Sequence, residues 1–177
     1  RTFKDFLPSL GLEFDIDPEV MIYGTYTKGF KAGGYAQFTS SSEFDSETVD
    51  SFEAGVKSQL FDRALTLNVA AFYMKYKNLQ EATTITLESG AIRNIVGNVA
   101  ASKVKGIEVS ANLRAGSGVE LYADVGYLDA KYSRYPGAPC TIAQSLTLPA
   151  PCVQNLAGSV RAFSPKWSGS VGFNFTN

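Results

Sequence analysis

Scattered carboxylates and amines, aromatic residues set beside glycines, and two cysteines are the groups in this sequence with chemistry to offer. Asp15 and Asp17 form a carboxylate pair, the residue type that glycosidase-like or Ca²⁺ chemistry would use. They fall in a Pro18-containing turn, however, and nothing beyond composition supports either role. Gly29, Gly33 and Gly34 flank Phe30, Lys31 and Tyr35, with Phe38 and Phe44 following among Ser and Thr. Such a segment can present aromatic rings and a cation to an anionic chelate, or serve as a glycine-rich turn. Cys140 and Cys152 bracket a stretch that holds Pro149 and Pro151. With no His in 177 residues, neither a His/Cys zinc site nor a Ser-His-Asp triad can be assembled, so no enzyme and no resident cofactor is expected of this segment. Sixteen Lys and Arg against seventeen Asp and Glu, without a basic run, leave no electrostatic footprint for nucleic acid.

These groups need a scaffold, and the hydrophobic pattern indicates which. Phe52, Ala54, Val56, Ser58 and Leu60 share one face of an extended run, with Ser51, Glu53, Gly55, Lys57 and Gln59 on the other. After Phe61-Asp62-Arg63 the alternation returns, with Leu65, Leu67, Val69, Ala71 and Tyr73 opposed to Thr66, Asn68, Ala70, Phe72 and Met74. Ile107, Val109, Ala111 and Leu113 face away from Glu108, Ser110, Asn112 and Arg114. Beyond the turn at Gly116 and Gly118, Leu121, Ala123, Val125 and Tyr127 face away from Glu120, Tyr122 and Asp124. Leu10 to Ile16, Val20 to Lys28 and Trp167 to Phe175 complete seven strands, and no segment has a convincing helical period.

The connections near residues 16–19, 61–64 and 115–118 are short, whereas those near 30–48, 80–98 and 135–165 are long. A strict alternation of short turns and long loops is the plan of outer-membrane barrels. No stretch reaches the ~18 apolar residues of a spanning helix. A mean hydropathy of −0.04 is compatible with a barrel, because its strands average apolar and polar faces. The reading is therefore an all-β, antiparallel transmembrane β-barrel. A soluble β-sandwich is the alternative, but it has no reason to gather its short turns at one end.

Three stretches resemble the barrel region of TonB-dependent outer-membrane receptors: Tyr23-Gly24-Thr25-Tyr26-Thr27-Lys28-Gly29-Phe30-Lys31-Ala32-Gly33-Gly34-Tyr35, Ser51-Phe52-Glu53-Ala54-Gly55-Val56-Lys57-Ser58 and Val104-Lys105-Gly106-Ile107-Glu108. Leu65 to Gln80 and Ser164-Pro165-Lys166-Trp167 resemble further strands of the same family. The resemblance implies a 22-stranded barrel that closes around a plug and takes up a scarce nutrient, such as a ferric siderophore or a cobalamin-like chelate. Energy would come from TonB, engaged through an N-terminal region outside this chain. This segment would then be an interior slice of the receptor's barrel domain, without the plug, set in outer-membrane lipid.

On this reading Glu53, Lys57, Glu108, Arg114 and Asp124 face the lumen, as a solvated wall or as contacts to plug or cargo. Phe30, Lys31, Tyr35, Phe38 and Phe44 are candidate loop contacts to substrate. Cys140 and Cys152, in an oxidising compartment, are expected to form a disulfide that staples an extracellular loop. A passive porin is the nearest rival, differing by its lack of a plug.

Overall fold

The computed structural model describes residues 2–35, 43–87, 89–116 and 118–176. Its elements in chain order are β1 (Ser9–Asp17), β2 (Val20–Lys31), β3 (Gly34–Tyr35), β4 (Glu43–Phe44), β5 (Glu47–Leu60), β6 (Leu65–Thr86), β7 (Ile92–Arg114), β8 (Val119–Arg134), β9 (Ala138–Pro139), α1 (Ile142–Ser145), β10 (Val153–Gln154) and β11 (Trp167–Phe175). Seven of these strands form one sheet in the order β1-β2-β5-β6-β7-β8-β11. Each long strand is antiparallel to the next, so the connections fall at alternating ends of the sheet.

Register turns the alternation of single strands into two continuous faces. Ile22, Val56, Val69, Val109 and Val125 lie side by side in one row, with Phe14 beyond Ile22 at the edge. The row of Leu60, Leu65, Leu113, Leu121 and Phe173 marks one end of this apolar face, and the row of Tyr26, Phe52 and Tyr73 marks the other. Nothing within the described residues covers it: Leu12 is 72% exposed, Phe173 70% and Val171 85%. A sandwich would pack this face against a second large sheet. The other two sheets among the described residues have two strands each, so a single layer remains, with an apolar surface that water does not tolerate at this extent.

Buried apolar residues gather instead beyond the aromatic row. Leu79, Ala100, Tyr132, Tyr135 and Ala138 form the packed cluster, with Tyr76, Val99 and Leu156 against it. The long loop after β8 folds back here, through hydrogen bonds from the backbone N–H of Leu156 to the Tyr135 carbonyl and of Gly158 to the Tyr132 carbonyl.

Two local features differ from the sequence expectation. Residues 80–98 are not simply a loop, because β6 and β7 stay paired out to Thr86 and Ile92, and the Leu87 N–H donates to the Ala91 carbonyl just beyond. Thr83, Thr84, Ile85 and Thr86 on β6, with Ile92, Ile95 and Val96 on β7, supply the β-branched residues that sustain such a ribbon. The long 135–165 connection holds a single helical turn, α1, closed by a capping box in which Thr141 and Gln144 satisfy each other's backbone N–H groups.

Candidate functional site

The polar face of the sheet is built from residues that alternate with the apolar rows. Lys57, Asn68, Ser110, Asp124 and Ser170 form one row, and Tyr23, Gly55, Ala70, Glu108, Gly126 and Ser168 form the next. Apart from Gly55, they line a shallow cleft of about 400 Å³. The Tyr23 hydroxyl donates to Glu53 Oε1 at 2.7 Å, the Lys57 ammonium lies 5.2 Å from the Tyr23 ring centroid, and the Ser170 hydroxyl donates to Asp124 Oδ2 at 3.2 Å. Carboxylates, hydroxyls and an amine at these spacings make a hydrated, hydrogen-bonding wall, not a nucleophile with its base.

Flat rings smooth that wall. Tyr23 is paired with Gly55, and Phe72 with Gly106; in each pair the ring lies where a side chain on the glycine would stand. A Cβ at Gly106 would meet Phe72 Cζ at 2.5 Å and the Tyr127 carbonyl oxygen at 2.5 Å. Gly106→Val is therefore expected to destabilise the sheet by about 1–3 kcal/mol through overpacking. The urea midpoint of the folded full-length protein measures this, and an unchanged midpoint would mean that both the ring and the neighbouring β8 backbone give way at no cost.

At the loop end of the same face, Arg161 sits over two rings, with its guanidinium carbon 5.3 Å from the Tyr76 centroid and 5.9 Å from that of Tyr132. Glu81 accepts a hydrogen bond from the Tyr132 hydroxyl at 3.0 Å and lies 3.9 Å from Arg161. The Tyr135 hydroxyl donates to the Ala82 carbonyl at 2.6 Å, and the Thr83 hydroxyl donates to the Gly137 carbonyl at 3.0 Å. On the other flank of the ribbon, Asn98 donates to the Asp45 carbonyl at 2.8 Å and Gln80 donates to the Ala32 carbonyl at 2.9 Å.

The whole chain, residues 1–177, matches the family described as TonB dependent receptor-like, beta-barrel. The chain belongs to that family. Among curated relatives, the metal-pseudopaline receptor CntO of Pseudomonas aeruginosa is 36% identical over 82 residues, which is 46% of this chain and 11% of the relative. The ferric-pyoverdine 358 receptor of Pseudomonas putida is 29% identical over 119 residues, 67% of this chain and 13% of that protein. The ferric yersiniabactin uptake receptor FyuA from Yersinia pestis has the same fold, with a TM-score of 0.67 at 16% identity over 96% of this chain and 22% of its own. This chain thus spans about a tenth to a quarter of these receptors. The seven strands are part of a TonB-dependent receptor barrel of the outer membrane, and the family is one of receptors and transporters, not enzymes.

Within this TonB-dependent receptor barrel, the five wall residues expected from sequence all fall on the polar face, but they do not form one site. Lys57, Glu108 and Asp124 line the cleft, and Glu53 reaches it through Tyr23. Arg114 is at the far end of β7, opposite Glu120. The loop set is divided as well. Phe30 pairs with Thr48 on the apolar side's continuation, whereas Lys31 pairs with Glu47 on the other face. Tyr35 is 60% exposed on β3, Phe44 packs over Gly34, and Phe38 lies outside the described residues. Cys140 and Cys152 are joined by a disulfide.

The Arg161, Tyr76, Tyr132 and Glu81 cluster escaped sequence reasoning. Arg161 follows an irregular loop, and only the return of that loop to Ala130 brings it near two strands. The expected Cys140–Cys152 bridge and the capping-box spacing of Thr141 and Gln144 signal an ordered loop, but neither points to Arg161.

Burial, followed by the negative charge of Glu81, pushes the Tyr135 hydroxyl up to about 12. Because the folded state holds this proton more tightly than the unfolded chain, the associated stability is complete below the ordinary tyrosine value near 10 and is lost as pH rises through about 12. In a tyrosinate absorbance titration, wild type minus Tyr135→Phe is expected to show one hydroxyl titrating near pH 12. A difference step near 10 would mean that the loop is not docked.

Proposed function

We propose that this chain supplies a sector of barrel wall and extracellular loops to a receptor that takes up a metal chelate across the outer membrane. In this reading the polar face lines the lumen and the uncovered apolar face meets lipid. Glu53, Lys57, Glu108, Arg114 and Asp124 then form a hydrated lumenal wall against plug and passing cargo, and the disulfide-closed loop shapes the mouth. Phe44, Tyr35 and Lys31 remain candidate contacts for an anionic chelate, joined by Arg161 between its two tyrosines. Energy is drawn from TonB through a plug-bearing region of the same receptor outside this chain.

The observation that carries the reading is the family match along the entire chain. The names of CntO, a metal-pseudopaline receptor, and of the ferric-pyoverdine 358 receptor support a chelated metal as the substrate class. A ferric siderophore is favoured over a cobalamin-like chelate on that ground. The test is accumulation of radiolabelled ferric chelates by cells carrying the full-length receptor. Uptake should cease in a strain without TonB and on dissipating the proton gradient. Uptake that persists under both conditions would make the protein a passive porin.

A further inference from the structure

Beyond the aromatic row of Tyr26, Phe52 and Tyr73, the charge pattern of the sheet inverts. The next row on the same face reads Lys28, Asp50, Lys75, Lys103 and Lys131, with Lys105 and Asp129 beside Tyr73. At this height the paired strands place no charged residue on the other face, whose rows are Thr27, Ser51, Met74, Val104, Ala130 and Gly29, Val49, Tyr76, Ser102, Tyr132; the charges there, Arg161 and Glu81, come from the returning loop and the ribbon and offset each other. Lys75, Lys103 and Lys131 are direct cross-strand neighbours. Like charges in that position repel, and a sheet ordinarily avoids them.

Internal compensation is incomplete. Asp129 serves two amines, Lys131 at 3.0 Å and Lys105 at 3.8 Å. Lys75 and Lys103 have no acidic partner among the described residues. Tyr73, Lys103, Lys105, Asp129 and Lys131 border a cleft of about 330 Å³. Tyr73 also borders a second, mostly apolar depression directly below, where the small Ala54 and Ala71 leave room between Leu12, Phe14 and Phe52. An amine-lined cleft above an apolar hollow has the outline of an amphiphile with an anionic head.

We infer that this face binds the phosphorylated headgroup of an outer-leaflet lipid, with phosphate oxygens accepting from Lys75, Lys103, Lys105 and Lys131 and an acyl chain seated in the hollow below Tyr73. The inference rests on the proposed outward orientation of the apolar face, which puts these lysines at the depth of headgroups. Phosphate is the fitting group because it offers several strong acceptors to several ammonium donors at once.

The experiment is native mass spectrometry of the folded full-length receptor in detergent, titrated with dioleoyl phosphatidic acid, dioleoyl phosphatidylcholine or inorganic phosphate. Wild type should retain phosphatidic acid in preference to phosphatidylcholine. The double variant Lys103→Gln/Lys131→Gln should lose roughly tenfold to thirtyfold in that affinity, and Lys103→Arg/Lys131→Arg should keep most of it. Lys28→Gln, whose ammonium is already paired with Asp5 at 2.9 Å, should bind as wild type. Equal retention of both lipids, an unchanged Gln variant, or competition by inorganic phosphate at lipid concentrations would overturn the inference. A nitroxide at Val69→Cys reports the orientation separately. If oxygen reaches it and aqueous nickel does not, while lipid discrimination is absent, only the headgroup site falls.

Discussion

Val69→Arg is expected to cost ~2 to 4 kcal/mol of folding free energy in a bilayer, whereas Asn68→Arg, one residue away, is expected to be nearly neutral. Val69 occupies the third of five rows between Leu65 and Tyr73, so its side chain projects from the middle of the apolar face. Along the strand these rows cover eight residue steps, roughly 20 Å of membrane depth for a strand tilted near 45°. A guanidinium there has no water and no counterion within reach. Asn68 pairs with Lys57 and Ser110 on the polar face, where an additional cation keeps its hydration. Denaturant titration of the full-length receptor in lipid vesicles measures both, and equal costs at the two sites would undo the in/out assignment.

The second large effect is expected at the mouth. Cys152→Ser opens the loop closed by the Cys140–Cys152 bridge, whose ends are 12 residues apart. Closing a loop of this size is worth about 3 kcal/mol in the chain-entropy model. The loss should be local. The pairing of Pro139 with Val153 and of Ala138 with Gln154 depends on keeping these segments together, while β5 to β8 hold one another through long ladders elsewhere. Hydrogen exchange at Cys140 and Leu156 should accelerate, with the amides of residues 65–75 unchanged. Acceleration across the whole sheet would show that the loop supports the wall itself.

The membrane-depth part of the fold was legible because two solvents act on it. Between Leu60 and Phe52, or Leu65 and Tyr73, one face must be apolar and the other polar, and period-two alternation follows directly. Outside that depth both faces meet water or loops and the constraint lapses, which is why Glu81-Ala82-Thr83-Thr84 resembled a loop although it continues β6. Phe30 shows the converse. Counting by twos from Ile22 through Tyr26 and Lys28 already puts it on the face opposite Lys31, so its separation from the other loop candidates was implicit in the sequence. The lysine row was not, because Lys75, Lys103 and Lys131 become neighbours only once the register of three strands is fixed.

The ribbon formed by the upper halves of β6 and β7 holds the loop before β5 by Gln80 and Asn98, and the loop after β8 by Ala82 and Thr83. Segments that look like separate modules in the sequence therefore share one set of fasteners. Grafting a single loop from one receptor onto another would leave donors and acceptors of the host ribbon without mates. A change of specificity by recombination, in nature or at the bench, is best served by a crossover that carries residues 30 to 166 as one cassette.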